Sequence, residues 1–171
     1  MSSVRERWEA GRAAEVSYWR DWLYGRTDQP EERALRLSDH RPFPWWAKPL
    51  VPGDRKQVRV LDLGAGPASA MGNFWEGREV VLVPVDPLAA AYNEIMEEFG
   101  ITPPVRTIQG FGEELVERFG EGQFDFAYAS HSLDRCIEPM TCIRQMLKVL
   151  KPGASLHMVH HANEAEQHHY T

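Results

Sequence analysis

The spacing of apolar residues changes character once along this chain, near residue 55. Before that point Trp8, Val16, Trp19, Trp22 and Leu23 recur close to helical spacing, with Arg5, Glu6, Arg12, Glu15, Arg20 and Asp21 mostly on other faces. The pattern predicts an amphipathic helix over 4–25 that stops at Gly25. A second helix is predicted from 28–30 to about 38, because Asp28 can cap it and Pro30 is tolerated in a first turn. Residues 40–54, HRPFPWWAKPLVPGD, hold four prolines and two adjacent tryptophans and read as a stiff connector.

Beyond it, short apolar, β-rich runs alternate with helical stretches. Strands are predicted at 58–63, 78–86, 105–109, 124–130 and 155–161, and helices at 67–76, 87–99, 112–119 and 138–150, the last stopping at Pro152 and Gly153. Near-continuous apolar strands alternating with helices predict a parallel sheet covered on both faces, an α/β three-layer sandwich. Pro84 is in tension with this, because a central strand position would lose a ladder hydrogen bond.

A chain of 171 residues, 43% hydrophobic and 26% charged, fits one globular unit with a real core. It divides into a helical cap and connector, 1–54, and an α/β portion, 55–171. The net charge of −6 argues against a nucleic-acid partner. No apolar run approaches the ~20 residues of a membrane span, and MSSVRERWEAGR lacks the apolar core of a signal peptide. Cys136 and Cys142, read as lying on poorly matched faces of one helix, predict free thiols. A cytoplasmic location is expected.

The candidate chemistry centres on VRVLDLGAGPASAMG, residues 58–72. In an open parallel sheet, ligands bind beyond the carboxyl ends of the strands, and glycines in the first turn let backbone approach them. A dinucleotide fingerprint would place a third glycine where Ser69 stands, and the Asp62 carboxylate would repel a pyrophosphate. The acid suits a cationic or ammonium-bearing ligand instead.

LDLGAGPA resembles motif I of the class I S-adenosylmethionine-dependent methyltransferases, with Ala68 in place of the last glycine. The resemblance implies a Rossmann-like fold, with Asp62, Leu63, Gly64, Ala65 and Gly66 around S-adenosyl-L-methionine and Asp62 near its methionine amine. Asp86, at the end of VVLVPVDPLA and followed by Pro87, matches the acid that accepts from the ribose hydroxyls; it also suits capping of the next helix. TIQGFGEEL resembles the motif after the third strand, implying adenine contacts from Gly110, Phe111 and Gly112; Phe111 replaces the usual Asp and either stacks on the base or packs in the core. FDFAYASHSLDRC resembles the motif that brings fourth-strand residues under the reacting methyl, which places Ser130 and His131 there. KVLKPGASLHMV resembles the lead into the fifth strand.

The expectation is a methyltransferase acting on a small molecule, at oxygen before nitrogen, with His131 as general base. Competing readings are a non-catalytic cofactor-binding or assembly module of the same fold and an NAD(P)-dependent oxidoreductase. The family's last two strands find no room before Thr171; a natural minimal form, a sequence that stops early and a partner covering the open sheet edge are the alternatives, and a homodimer or a poorly behaved fragment is expected. Tyr18, Trp19, Trp22, Trp45 and Trp46 offer an apolar wall over the substrate, although most are expected simply to pack. His157, His160, His161, His168 and His169 crowd the end of the chain without HExxH or CxxC spacing, and no metal is expected.

Overall fold

Strands β1 (Gln57–Leu63), β2 (Glu79–Asp86), β3 (Ile108–Gln109), β4 (Phe124–Ser130) and β5 (Leu150–Val159) pair side by side in the order β3-β2-β1-β4-β5. Each pairing is parallel. This computed structural model describes residues 4–161 of the chain. The sheet is the predicted α/β arrangement, with β1 at its centre and β2 and β4 beside it.

Successive residues of β1 face opposite sides, so Val58 and Val60 bury on one face and Leu61 and Leu63 on the other. The Leu61 and Leu63 face is covered by α4 (Leu115–Phe119) and α5 (Pro139–Val149), through Leu115, Met146 and Val149. Across the sheet, α1 (Val4–Tyr24) meets α3 (Ala89–Glu98) through Trp22, Leu23, Ile95 and Met96. Helix α1 ends as predicted. Gly25 takes φ of +81°, its N–H bonds to the Trp22 carbonyl at 3.1 Å, and the Arg26 N–H reaches back to the Asp21 carbonyl at 2.9 Å. That paired closure is the Schellman arrangement, which needs a residue tolerant of positive φ. The short α2 (Pro30–Arg36) begins after Gln29, and Asp28 is not its cap.

The helix expected over 67–76 is absent. That segment is an irregular crossover between β1 and β2, and its backbone partners lie upstream. The Phe43 N–H donates to the Phe74 carbonyl at 2.6 Å, and the Phe74 N–H donates to the Arg41 carbonyl at 3.0 Å. Gly72 lies so close to the connector that a Cβ there would stand 2.0 Å from the Pro42 carbonyl oxygen. The Val58 and Val60 face is covered instead by Phe43, Ala47 and Val51, with Trp46 and Trp75 packed alongside. The connector is therefore part of the core. Fully burying a ring such as Phe43 contributes roughly 1.5–3 kcal/mol, which outweighs the helix propensity of a segment holding Pro67, Gly72 and Asn73.

Pro84 sits in β2 at no cost to the ladder. The Val85 carbonyl points toward β1, bonding the Gly64 N–H at 2.8 Å, while the Asp86 carbonyl points toward β3, bonding the Gly110 N–H at 3.2 Å. Pro84 shares the parity of Asp86, so its nitrogen faces the β3 side, where pairing begins only at Ile108 opposite Val85.

Two further boundaries move. Strand β5 starts at Leu150, directly after α5, and carries a register shift between the partners of Phe124 and Phe126. Lys151–Pro152–Gly153 lies in that bulge and is not the helix stop. Lys151 there places Nζ 2.9 Å from both oxygens of the buried Asp125. Cys136 lies ahead of α5, just after a 3-10 turn at Leu133–Arg135, so the expectation that both cysteines share one helix is corrected. Among the described residues, no helix is long and apolar enough to cross a membrane.

Candidate active site

The turn after β1 is fastened on three sides. The Gly64 N–H is bonded to β2 as above, the Gly66 N–H donates to Asp86 Oδ2 at 3.0 Å, and Thr107 Oγ1 donates to the Gly66 carbonyl at 2.8 Å. Gly64 and Gly66 adopt φ of +73° and +65°, the left-handed region that glycine enters without strain. Both are also closely covered. A Cβ on Gly64 would meet Ser132 Cβ at 2.2 Å, and one on Gly66 would meet Trp19 Cζ2 at 2.7 Å.

Asp86 and Asp62 end the two central strands. Asp86 Oδ1 accepts the Leu88 N–H at 2.8 Å, an Asx turn that leads into α3, while its other oxygen holds Gly66. Burial pushes its carboxyl up to about 6, opposed by those two backbone donors, raised a little by Glu15 and lowered a little by Arg135. Asp62 is buried and accepts Ser69 Oγ–H at 2.5 Å; Ser69 in turn accepts the Met71 N–H at 2.9 Å. Burial raises its carboxyl above the usual range, and the Ser69 hydroxyl and the Arg36 guanidinium pull the other way.

These residues border a cavity of about 780 Å³, within the range of small-ligand sites. Asp62, Leu63, Gly64, Ala65, Asp86, Pro87, Phe111, Gly112, Ser130 and His131 all line it. Gly66 and Gly110 stand behind that lining. Gly66 is turned under Trp19, and Gly110 packs toward Val85 and Arg118. Phe111 is half-buried on the wall, its ring centroid 5.5 Å from that of Trp8, so it is not a core residue. His131 takes φ of +50°, a conformation rare for a residue with a side chain, and its N–H is held by the Val159 carbonyl at 2.9 Å. Its ring centroid lies 4.7 Å from that of His161. His168 and His169 lie outside the described residues.

Helix α1 forms one wall of the cavity and adds residues not foreseen from the sequence. Glu15 is buried there, accepts Trp19 Nε1–H at 2.7 Å and forms an ion pair with Arg135 from the turn after β4. The signal was present: Glu15 falls in register with Trp8, Trp19 and Trp22 on the apolar stripe, where an acid needs a partner. Of the aromatic residues expected as a wall, Tyr18 and Trp19 line the cavity, Trp22 packs in the core, and Trp45 is 82% exposed. Asp134 also borders the cavity, with both carboxylate oxygens shielded from solvent and without a hydrogen-bond partner among the described residues. Such groups ordinarily find one. Among the lining residues, Glu15, Asp62, Asp86, Glu113 and Asp134 face the guanidinium groups of Arg12, Arg36 and Arg135, an acidic balance that suits a cationic ligand.

A cavity at the carboxyl ends of parallel strands, with a glycine turn after β1 and an acid at the tip of β2, is the arrangement of the Rossmann-like α/β proteins. Residues 61–165 match the family described as "Methyltransferase domain", and the chain belongs to that family. It is 33% identical over 109 residues to a ubiquinone/menaquinone biosynthesis C-methyltransferase UbiE from Proteus mirabilis, covering 61% of this chain and 43% of that protein. The UbiE protein of Idiomarina loihiensis is 32% identical over 107 residues, covering 59% and 41%. The chain thus spans under half the length of these relatives.

Solved structures share the fold. The [4+2]-cyclase SpnF superposes with a TM-score of 0.55 at 21% identity, covering 88% of this chain and 59% of SpnF. The CurJ carbon methyltransferase does so at 0.52 and 16% identity, covering 70% and 34%. One fold carrying a cyclase and a methyltransferase illustrates that activity must be argued from the site.

Proposed function

We propose that this chain binds S-adenosylmethionine in the strand-tip cavity and transfers its methyl group to a small, mainly apolar acceptor that bears a hydroxyl. The observation carrying the reading is the convergence of Asp62, Asp86, Phe111, Ser130 and His131, from the ends of β1, β2 and β4 and the turn after β3, on one cavity. The donor set fits the cofactor. Each Asp86 oxygen accepts one backbone N–H and keeps a lone pair for a ribose hydroxyl. Trp8 and Phe111 supply aromatic surface for a base, and Asp62 supplies negative charge for an ammonium group.

When bound, S-adenosylmethionine supplies a methyl group activated by its sulfonium. The chain's share is position and proton handling. Asp134 accepts a hydrogen bond from a donor group of the bound acceptor other than the reacting hydroxyl, which relieves its unpartnered state. His131 takes the proton as the nucleophile forms; its strained backbone, held by β5, fixes the imidazole on the wall. Tyr18 and Trp19 exclude water from the acceptor side. Oxygen is the acceptor atom we favour over nitrogen. The relatives named as C-methyltransferases make carbon the competing outcome, because ionising a ring hydroxyl also makes the adjacent carbon nucleophilic.

Calorimetric titration with S-adenosylmethionine, S-adenosylhomocysteine and NAD tests the cofactor half. Binding of the first two without the third supports it, and binding of NAD alone overturns it. A panel of hydroxylated small molecules, with product methyl groups located by NMR, tests the acceptor half. Binding without turnover on any member supports the non-catalytic module instead.

A further inference from the structure

At one side of the cavity, three side chains from separate elements turn toward one point. They are Glu113 in the 3-10 turn Gly112–Glu114, Cys136 after the turn that follows β4, and Cys142 in α5. One carboxylate oxygen and the two sulfurs all lie within 4.8 Å of one another. We propose that Glu113, Cys136 and Cys142 form a binding site for a thiophilic divalent cation of the zinc class, independent of the methyl-transfer reading.

The donors are pre-positioned. Around a tetrahedral zinc ion, with bonds of about 2.0–2.3 Å, ligand atoms stand roughly 3.4–3.8 Å apart, so no pair of this trio need close by more than about 1.5 Å. Gly112 makes the close approach of α5 possible, since a Cβ there would meet Cys142 Sγ at 2.8 Å and Leu63 Cδ2 at 3.0 Å. Glu113 Oε1 accepts the Glu138 N–H at 3.0 Å, which orients the carboxylate as a supporting hydrogen bond does around a metal ligand. Cys136 Sγ lies 3.7 Å from the Ser132 carbonyl oxygen, in the stretch of chain that also packs on Gly64.

Two sulfurs and a carboxylate select borderline-soft cations over magnesium or calcium, which prefer all-oxygen shells. Three protein donors leave one tetrahedral position open. Glu113 and Cys136 both border the cavity, so water or a cavity-bound group completes the shell there. The site would tie the turns after β3 and β4 to α5, all of which shape one side of the cavity.

The test uses the reduced, full chain after chelator treatment. Titration with Zn²⁺ by calorimetry and with Cd²⁺ by ultraviolet absorption should give one equivalent and a thiolate-to-cadmium charge-transfer band, which histidine sites do not produce. Cys136→Ser, at the half-buried position, should abolish the band and weaken Zn²⁺ binding by at least about 100-fold, and Glu113→Gln should weaken it by about 10-fold. Circular dichroism and melting of each metal-free variant establish that it is folded. No band with Cd²⁺, or Zn²⁺ binding unchanged in a folded Cys136→Ser, overturns the proposal and assigns any affinity to the histidines. A Cys136–Cys142 disulfide as the sole response of the pair, with no metal bound to the reduced form, overturns it as well.

Discussion

Glu15 of α1 and Arg135 of the turn after β4 form an ion pair on the lining of the cavity, 120 residues apart in sequence. The pair fastens the N-terminal helix over the strand tips. It also places opposite charges near Asp86, where Glu15 raises the carboxyl and Arg135 lowers it. Arg135→Ala should therefore act twice. It should lower stability by about 1–2 kcal/mol, below the full value for a buried pair because Arg135 is partly exposed. It should also weaken S-adenosylmethionine binding, most clearly near pH 6, because the Asp86 carboxyl loses a cation that favours its ionised, ribose-accepting form. Chemical denaturation at neutral pH and calorimetry near pH 6 read the two effects, and an unchanged affinity would remove Arg135 from the site.

Gly66→Ala should destabilise the fold by about 2–4 kcal/mol, from the positive φ and from the 2.7 Å approach to Trp19. The two causes separate in a double mutant. Trp19→Leu should recover the overpacking share and leave the backbone strain, so Gly66→Ala should cost only about 1–2 kcal/mol in that background. Equal costs in both backgrounds would mean that the indole does not press on the turn.

Asp86 predicts a pH dependence. Its carboxyl lies at about 6 when folded, well above the unfolded value, so the folded state binds more protons between about pH 4 and pH 6. Stability from this group is greatest below that window and falls as pH rises through it, by up to about 3 kcal/mol. Denaturation at pH values spanning the window should show this loss, and Asp86→Asn should flatten the slope without removing the share due to Asp62, which burial raises in the same direction. Cofactor binding through ribose hydroxyls favours the ionised form, so affinity should decline below about pH 6.

Gly72→Ala should be among the most damaging single changes in the chain, costing about 3 kcal/mol or more, because its Cβ would collide with the Pro42 backbone rather than with a side chain that can rotate. Melting temperature is the readout. Gly77→Ala is the control, since a Cβ there meets nothing within 4 Å and only the φ of +77° is strained.

The parallel sheet was legible because strand and helix periods alternate beyond residue 55, and the cavity residues from Asp62 to His131 were legible because strand tips and glycines mark them. What escaped has a common cause. The helix expected at 67–76 fails because Phe74 bonds to, and Gly72 packs against, residues some thirty positions upstream, a tertiary partner that no local window contains. The cysteines were misplaced because the start of α5 at Pro139, not a continuous helix, sets where Cys136 points. Gly66 carries the expected backbone conformation, yet its cover by Trp19 was not legible, since left-handed φ reports the shape of a turn and not what covers it.

The upstream cover over β1 and β4 sets an order of events during synthesis. Residues 41–51 leave the ribosome before any strand exists for them to cover, whereas an ordinary crossover helix would form locally between its two strands. The stretch finds its aromatic partners downstream, Phe43 stacking on Trp75 and meeting Phe126, and Trp46 packing beside Phe126 and Tyr128. Burial of those rings is complete only once the first crossover and β4 are both in place, which ties the connector to the sheet as a whole and not to any one neighbouring segment.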